Sequence, residues 1–174
     1  VQSKQTESIS ELPDFKLQLT GGEAVRRSDF LGRRLLLYFY PKDNTAGCST
    51  EAQGFRDASA QLAELNTTVI GISRDSLASH EKFRSKLELP FALACDSDES
   101  LCHLFDVMKP KKLYGRSYIG IERSTFLIDK HGIIKHSWRK VRVKNHVEEV
   151  LAVIRELQAN PQDRESHDNP SSCL

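Results

Sequence analysis

Cys48 is the residue of this 174-residue chain best placed to do chemistry. It closes the run Tyr38-Phe-Tyr-Pro-Lys-Asp-Asn-Thr-Ala-Gly-Cys48. The apolar stretch from Leu35 to Tyr40 stops at Pro41, a short polar loop follows, and an amphipathic pattern starts at the cysteine. Its sulfur is therefore expected at a helix N-terminus, where unpaired amides and the positive end of the helix dipole favour thiolate over thiol. The thiolate is the nucleophilic form, so the placement points to sulfur chemistry. A cysteine behind a strand is often only a small hydrophobe. Here Asp43, Asn44, Thr45 and Gly47 make the surroundings polar and flexible, and the sulfur is expected to be reachable.

The other three cysteines, Cys95, Cys102 and Cys173, form no CxxC pair. Isolated cysteines suit a reducing compartment better than a disulfide-stapled secreted fold. The six histidines (His80, His103, His131, His136, His146 and His167) show none of the spacings a zinc site uses, so neither a metal nor a cofactor is expected. The basic stretches at 109–112 and 139–144 read as solvated faces, the second as an exposed strand alternating with Val141 and Val143. With a net charge of +1, they give no reason to expect a nucleic-acid partner. No apolar run approaches the roughly 18 residues of a spanning helix. Residues 1–7 lack the apolar core of a signal peptide. The expectation is a cytoplasmic protein with no membrane partner.

The elements that must position Cys48 follow from periodicity. At this length the chain supports one well-formed core. Residues 1–12 are polar and expected to be loose. Phe15 to Leu19 alternates, Gly21-Gly22 offers a turn, and Ala24-Val25 returns as an N-terminal hairpin. Leu35–Tyr40 and Thr68–Ser73 read as strands buried on both faces. Between them, apolar residues at 52, 55, 58, 62 and 65 predict one helix from Gly47 to Leu65. Ser76 caps a second helix to about Leu87, before Leu89-Pro90. A short strand at Phe91–Cys95 and a helix at Glu99–Val107, with Leu101, Leu104 and Phe105 inward, come next. A basic loop at Lys109–Arg116 precedes strands at Ser124–Ile128 and Ile133–Val141, with Trp138 packing at the core or its edge. The last helix is expected over Asn145–Leu157. The pattern is that of a layered α/β domain at 13–158, followed by an unpatterned tail at 159–174 expected to be disordered. In such sheets, sites gather beyond the carboxyl ends of the strands, where Cys48 lies.

Pro41-xxx-Thr45-xx-Cys48 resembles the active-site signature of the peroxiredoxins. The wider text from Tyr38 to Glu51, with Gly120-Ile-Glu-Arg-Ser-Thr-Phe-Leu-Ile-Asp129, is similar to the bacterioferritin comigratory protein, or peroxiredoxin Q, subfamily. The resemblance runs from about Leu12 to Leu157. It implies a thioredoxin-like fold, with a central mixed sheet flanked by helices. It also implies a thiol-dependent peroxidase that reduces hydrogen peroxide and organic hydroperoxides through a Cys48 sulfenic acid. By the resemblance, Cys48 is the peroxidatic cysteine, Thr45 orients the peroxide, Pro41 shields the sulfur and Arg123 stabilises the thiolate. Gly47 and Glu51 support them, Glu51 by holding Arg123 or by answering the helix dipole.

The chain departs from the subfamily where the sulfenic acid must be resolved. One usual resolving position holds Gln53 and the other Arg84; Ala46 replaces a common proline. Cys95, Cys102 and Cys173 remain as candidate resolvers, with Cys102 better read as a buried helix residue. The reading adopted is a one-cysteine mechanism in a monomer, with thioredoxin, glutaredoxin or glutathione as electron donor. The rival is a thioredoxin-fold redox-sensing or chaperone-like binding module without peroxidase turnover.

Overall fold

The computed structural model describes residues 12–160. The loose segment at 1–12, the tail and Cys173 therefore lie outside the described residues, apart from Leu12, Ala159 and Asn160. Leu12 is 3% exposed and belongs to the core, which corrects the expectation that it is loose.

Nine strands, five α-helices and a short 3-10 helix at Arg27–Phe30 build the domain among the described residues. β1 (Lys16–Gln18) and β2 (Ala24–Arg26) form the expected antiparallel hairpin. β3 (Arg34–Phe39), β4 (Thr67–Ser73), β5 (Leu93–Cys95), β8 (Ser124–Ile128) and β9 (Ile134–Trp138) form the central sheet in the order β5-β4-β3-β8-β9. β3, β4 and β5 run parallel, while β8 is antiparallel to β3 and β9 to β8. The sheet is mixed, as expected. The N-terminal hairpin is fastened to its β5 edge, where the Thr20 amide donates to Leu93 O at 2.9 Å.

Central β3 divides the core. Leu35, Leu37 and Phe39 join one apolar layer with the N-terminal hairpin and helix α4 (Ser100–Leu104). Leu36 and Tyr38 face the other layer, against α1 (Ala46–Asp57), α2 (Ser59–Glu64), α3 (Leu77–Leu87) and α5 (His146–Ala159). Successive strand residues point to opposite faces, and both faces are covered by apolar groups. Such a strand reads as an unbroken apolar run.

Several boundaries differ from expectation. The single helix at 47–65 is two, because Ala58 adopts φ −91° and ψ 2°. Hydrogen bonds continue through this kink, from Ala58 N to Gly54 O and from Leu62 N to Ala58 O, so the apolar stripe gives no sign of it. The basic loop is an antiparallel hairpin, β6 (Met108–Leu113) with β7 (Arg116–Ile121). Tyr114 and Gly115 at its tip have φ values of 50° and 77°, as a two-residue primed turn requires. Most of its residues are exposed, so no alternation marks it, and Pro110 argues against a strand. The segment at 139–144 is not a strand: β9 stops at Trp138 and Lys140 turns the chain at φ 49°. Helix α4 ends at Leu104, which is exposed rather than inward. The Ser76 cap on α3 is present, with its Oγ accepting from Ser79 N at 3.1 Å. No helix among the described residues is long and apolar enough to cross a membrane.

One close approach fixes how β3 and β4 pack. A Cβ on Gly71 would lie 2.6 Å from Tyr38 Cζ and 2.9 Å from Leu93 Cδ2. The Tyr38 ring is itself held against Phe55, with centroids 4.8 Å apart, and Tyr40, at 5.5 Å. Gly71→Ala is expected to destabilise the domain by about 2–3 kcal/mol, the scale of overpacking in a tight core. Urea unfolding checks this, and an unchanged midpoint would show that the ring can move aside.

Candidate active site

The polar segment after β3 ends at Thr45, whose extended backbone starts α1. Cys48 is the third residue of that helix, within the first turn, where backbone amides lack helical carbonyl partners. The sequence builds this start with small residues, Ala46 and Gly47. Gly47 has a specific task, because a Cβ there would lie 3.3 Å from Arg123 Nη2. Without that side chain the guanidinium reaches the helix.

Arg123 lies just after β7 and before β8, so the chain entering β8, the strand beside β3, delivers it to α1. Its Nη2 donates to Cys48 Sγ at 3.3 Å, and its Nη1 donates to Glu51 Oε1 at 2.8 Å. The Glu51 side chain is fully buried, one helical turn beyond Cys48 on α1. Of the two roles weighed for Glu51, holding Arg123 is thus the one the geometry displays. Burial raises the Glu51 pKa to about 7, against the opposing pull of Arg123. Its Oε2 has no hydrogen-bond partner among the described residues. Burial opposes the charge on Arg123, but Glu51 and Cys48 outweigh it and raise the Arg123 pKa above its ordinary value.

Cys48 is only 2% exposed, where an accessible sulfur was expected. The polar loop residues are mostly at the surface, but the sulfur turns inward and packs with the Tyr38 layer. Thr45 is exposed, and its hydroxyl donates to Lys42 O at 2.9 Å. Pro41 is half-buried where β3 ends. Cys102 lies in the opposite apolar layer, with the sheet between it and Cys48. Burial and then Asp96 push its thiol well above the usual range. Cys95 ends β5, two strands from β3, and is half-buried. Cys48, Cys95 and Cys102 are all free thiols.

A second buried cluster escaped sequence reasoning. Asp43, expected only to make the loop polar, is 6% exposed and accepts from Tyr40 OH at 2.6 Å and Ser79 Oγ at 2.8 Å. His80 Nδ1 lies 2.8 Å from Asp43 Oδ2 and His80 Nε2 lies 3.0 Å from Ala94 O. The Asp43 amide donates to Asp75 Oδ2 at 2.9 Å. Asp43, Asp75 and His80 bring potential ligand atoms within 4.8 Å of one another, a grouping that linear spacing did not suggest. These hydrogen bonds already engage all three side chains. The cluster ties the active-site loop to α3 and β5. Its only sequence signal was an Asp in a loop and a His on a helix 37 residues later.

A buried cysteine thus meets a guanidinium at a helix start beside the central mixed sheet. The AhpC/TSA family model matches residues 10–137. The chain belongs to the AhpC/TSA family. Peroxiredoxin Bcp of Bacillus subtilis is 50% identical over 145 residues, 83% of this chain and 92% of that protein. Peroxiredoxin Bcp of Escherichia coli K12 is 40% identical over 144 residues, again 83% and 92%. Among solved structures, the Xanthomonas campestris bacterioferritin comigratory protein superposes with a TM-score of 0.81 at 40% identity. It covers 86% of this chain and 98% of its own, and was studied for alkyl peroxide reduction. A peroxiredoxin Q mutant from Xylella fastidiosa gives 0.83 at 42% identity, with 90% and 99% covered. This peroxiredoxin is a thiol-dependent peroxidase with a thioredoxin-like fold, acting on peroxide with a thiol reductant.

The Glu51 environment has a measurable pH signature. Its folded pKa of about 7 exceeds the ordinary 4.5, so the native state holds this proton more tightly than the unfolded chain. The Glu51 contribution to stability must then fall as pH rises from 4.5 to about 7 and level off above. Glu51→Gln keeps an acceptor for Arg123 and removes the titration. Urea unfolding across that window should show a flatter pH slope in the variant; identical slopes would mean that Glu51 does not titrate there.

Proposed function

We propose that Cys48 is the peroxidatic nucleophile, assisted by Arg123, Thr45 and the first-turn amides of α1. The Arg123 contact with the sulfur, at 3.3 Å, carries this reading. The thiolate attacks one peroxide oxygen, an S–O bond forms and the O–O bond breaks. The departing oxygen leaves with the electron pair and becomes water or an alcohol on taking a proton. Arg123, the amides and the Thr45 hydroxyl answer the negative charge that grows on that oxygen. For Thr45 this requires giving up its bond to Lys42 O. Pro41 supplies a wall without an amide hydrogen, and Glu51 holds the guanidinium in register. The alkyl peroxide activity of the Xanthomonas campestris relative supports organic hydroperoxides as substrates alongside hydrogen peroxide.

The Cys48 sulfenic acid is reduced by an external thiol in this reading. Gln53 and Arg84 stand at the two positions where relatives would supply a resolver. A disulfide needs Cα atoms within about 7 Å, and Cys102 lies across the sheet in a separate layer. Cys95 is separated from β3 by the whole of β4. Thioredoxin, glutaredoxin or glutathione then serves as donor to a cytoplasmic monomer, a setting that free thiols suit.

One equivalent of peroxide, followed by intact mass and thiol mapping, should place one added oxygen on Cys48. It should reveal no bridge to Cys95, Cys102 or Cys173. Cys48→Ser should consume no peroxide. A bridge from Cys48 to any of the three would overturn the one-cysteine mechanism while leaving the peroxidase intact.

Arg123→Met should slow the stopped-flow reaction with hydrogen peroxide by about 10² or more, the usual cost of a lost charge-stabilising donor. A rate within threefold of wild type would remove Arg123 from the mechanism.

A further inference from the structure

The large apolar side chains that this domain exposes are unevenly distributed. Four of the seven found among the described residues, Leu113, Tyr114, Tyr118 and Ile119, sit on the β6–β7 hairpin, at 56, 96, 45 and 57% exposure. The same ribbon carries Lys109, Lys111, Lys112 and Arg116, and holds no carboxylate from Met108 to Ile121. Lys109 pairs with Asp106 at 2.9 Å. Lys111, Lys112 and Arg116 make no ion pair among the described residues. Clustered apolar exposure rimmed by charge of one sign is characteristic of an interaction site, and tyrosine and arginine are favoured anchors there.

The ribbon also leads to the reacting sulfur. β7 runs through Glu122 directly into Arg123, and the Glu122 amide donates to Val107 O at 2.8 Å, closing the base of the hairpin. The Tyr118 ring and the Lys111 stem converge over Gly120, where a Cβ would lie 3.0 Å from Tyr118 Cε2 and 3.4 Å from Lys111 Cδ. Burial and then the Arg123 charge lower the Lys111 pKa, with Cys48 acting in the opposite sense. Lys111, on the ribbon, is therefore within electrostatic reach of the Arg123–Cys48 pair.

We infer that the β6–β7 ribbon docks the protein that reduces Cys48, a dithiol protein presenting an acidic face with an apolar rim. This rests on the thiol-peroxidase reading of Cys48. The partner's charge follows from Lys111, Lys112 and Arg116, three cations that make no ion pair among the described residues. Its size follows from the four exposed apolar side chains, which glutathione is too small to cover. From that position a partner thiolate attacks the sulfenic sulfur: an S–S bond forms, the S–O bond breaks and the oxygen leaves as water after taking a proton. The partner's second thiol then displaces Cys48 as thiolate, and the partner departs as a disulfide.

The test compares wild type with Lys112→Glu/Arg116→Glu and, separately, Tyr114→Ser. Peroxide turnover is driven by thioredoxin with its reductase, by glutaredoxin with its reducing system, and by dithiothreitol. With at least one protein reductant, kcat/KM should fall about tenfold or more in the charge reversal, and its salt dependence should largely vanish. Tyr114→Ser should lower it as well, and dithiothreitol turnover should stay within about twofold for both variants. Unchanged rates with the protein reductants would overturn the inference, as would equal losses with dithiothreitol, or wild-type turnover with dithiothreitol alone. A wild-type dimer that the charge reversal converts to monomer in sedimentation would make the ribbon a self-interface and overturn it too. Wild type that consumes no peroxide in a single turnover would instead sink the peroxidase reading itself.

Discussion

The Arg123 guanidinium is held between a fully buried carboxyl group and a nearly buried sulfur, and each of the three groups depends on the other two. A lone cation taken this far from water is costly, so Arg123 needs a partner with negative charge. Glu51 supplies it incompletely, because burial shifts its own ionisation to about pH 7. The Cys48 sulfur is the other group that the guanidinium meets, through its Nη2 at 3.3 Å. The sulfur therefore sits where the cation and the helix start at Thr45 both favour negative charge.

That geometry tolerates little displacement, and two glycines on α1 show why. Gly47 and Gly54 are seven residues apart, two turns along the helix, so they lie on nearly the same side. Gly47 leaves room for Arg123, and a Cβ on Gly54 would meet Val147 Cγ2 of α5 at 2.9 Å. On the sheet side, Phe55 stacks on Tyr38. Helix α1 is thus seated against β3 and α5, and its first turn faces the guanidinium as a result. The Asp43–His80 pair fixes the loop that enters the helix, from a different direction.

The sequence made the parallel strands legible, because a strand covered on both faces must be apolar throughout, as residues 35–40 and 68–73 are. It made the position of Cys48 at a helix start legible too, because a strand, a proline, a polar loop and a helix start leave few places for the sulfur. Arg123 and Thr45 came only through resemblance to a family, since nothing in local periodicity brings residue 123 to residue 48. The β6–β7 hairpin was missed because residues exposed on both faces carry no alternation. The burial of Cys48 and Asp43 was missed for a related reason. Loop polarity describes the neighbours of a side chain, while the direction in which it points is set by α1, α3 and the sheet together. Asp43 and His80 form one interaction only after α3 has folded back onto β5.

The central sheet also acts as a chemical partition. Sulfur atoms exchange oxidising equivalents by contact, through an S–S bond of about 2 Å, and no such contact spans a layer of paired strands. Cys48 lies on the α1 side of β3, while Cys102 sits behind β3 among Leu35, Leu37 and Phe39. Its suppressed ionisation makes it a poor nucleophile even if an oxidised group came near. Oxidation is thereby confined to one compartment of a single small domain. The apolar layer that holds Cys102 is thus kept apart from the layer that holds Cys48 by the sheet itself.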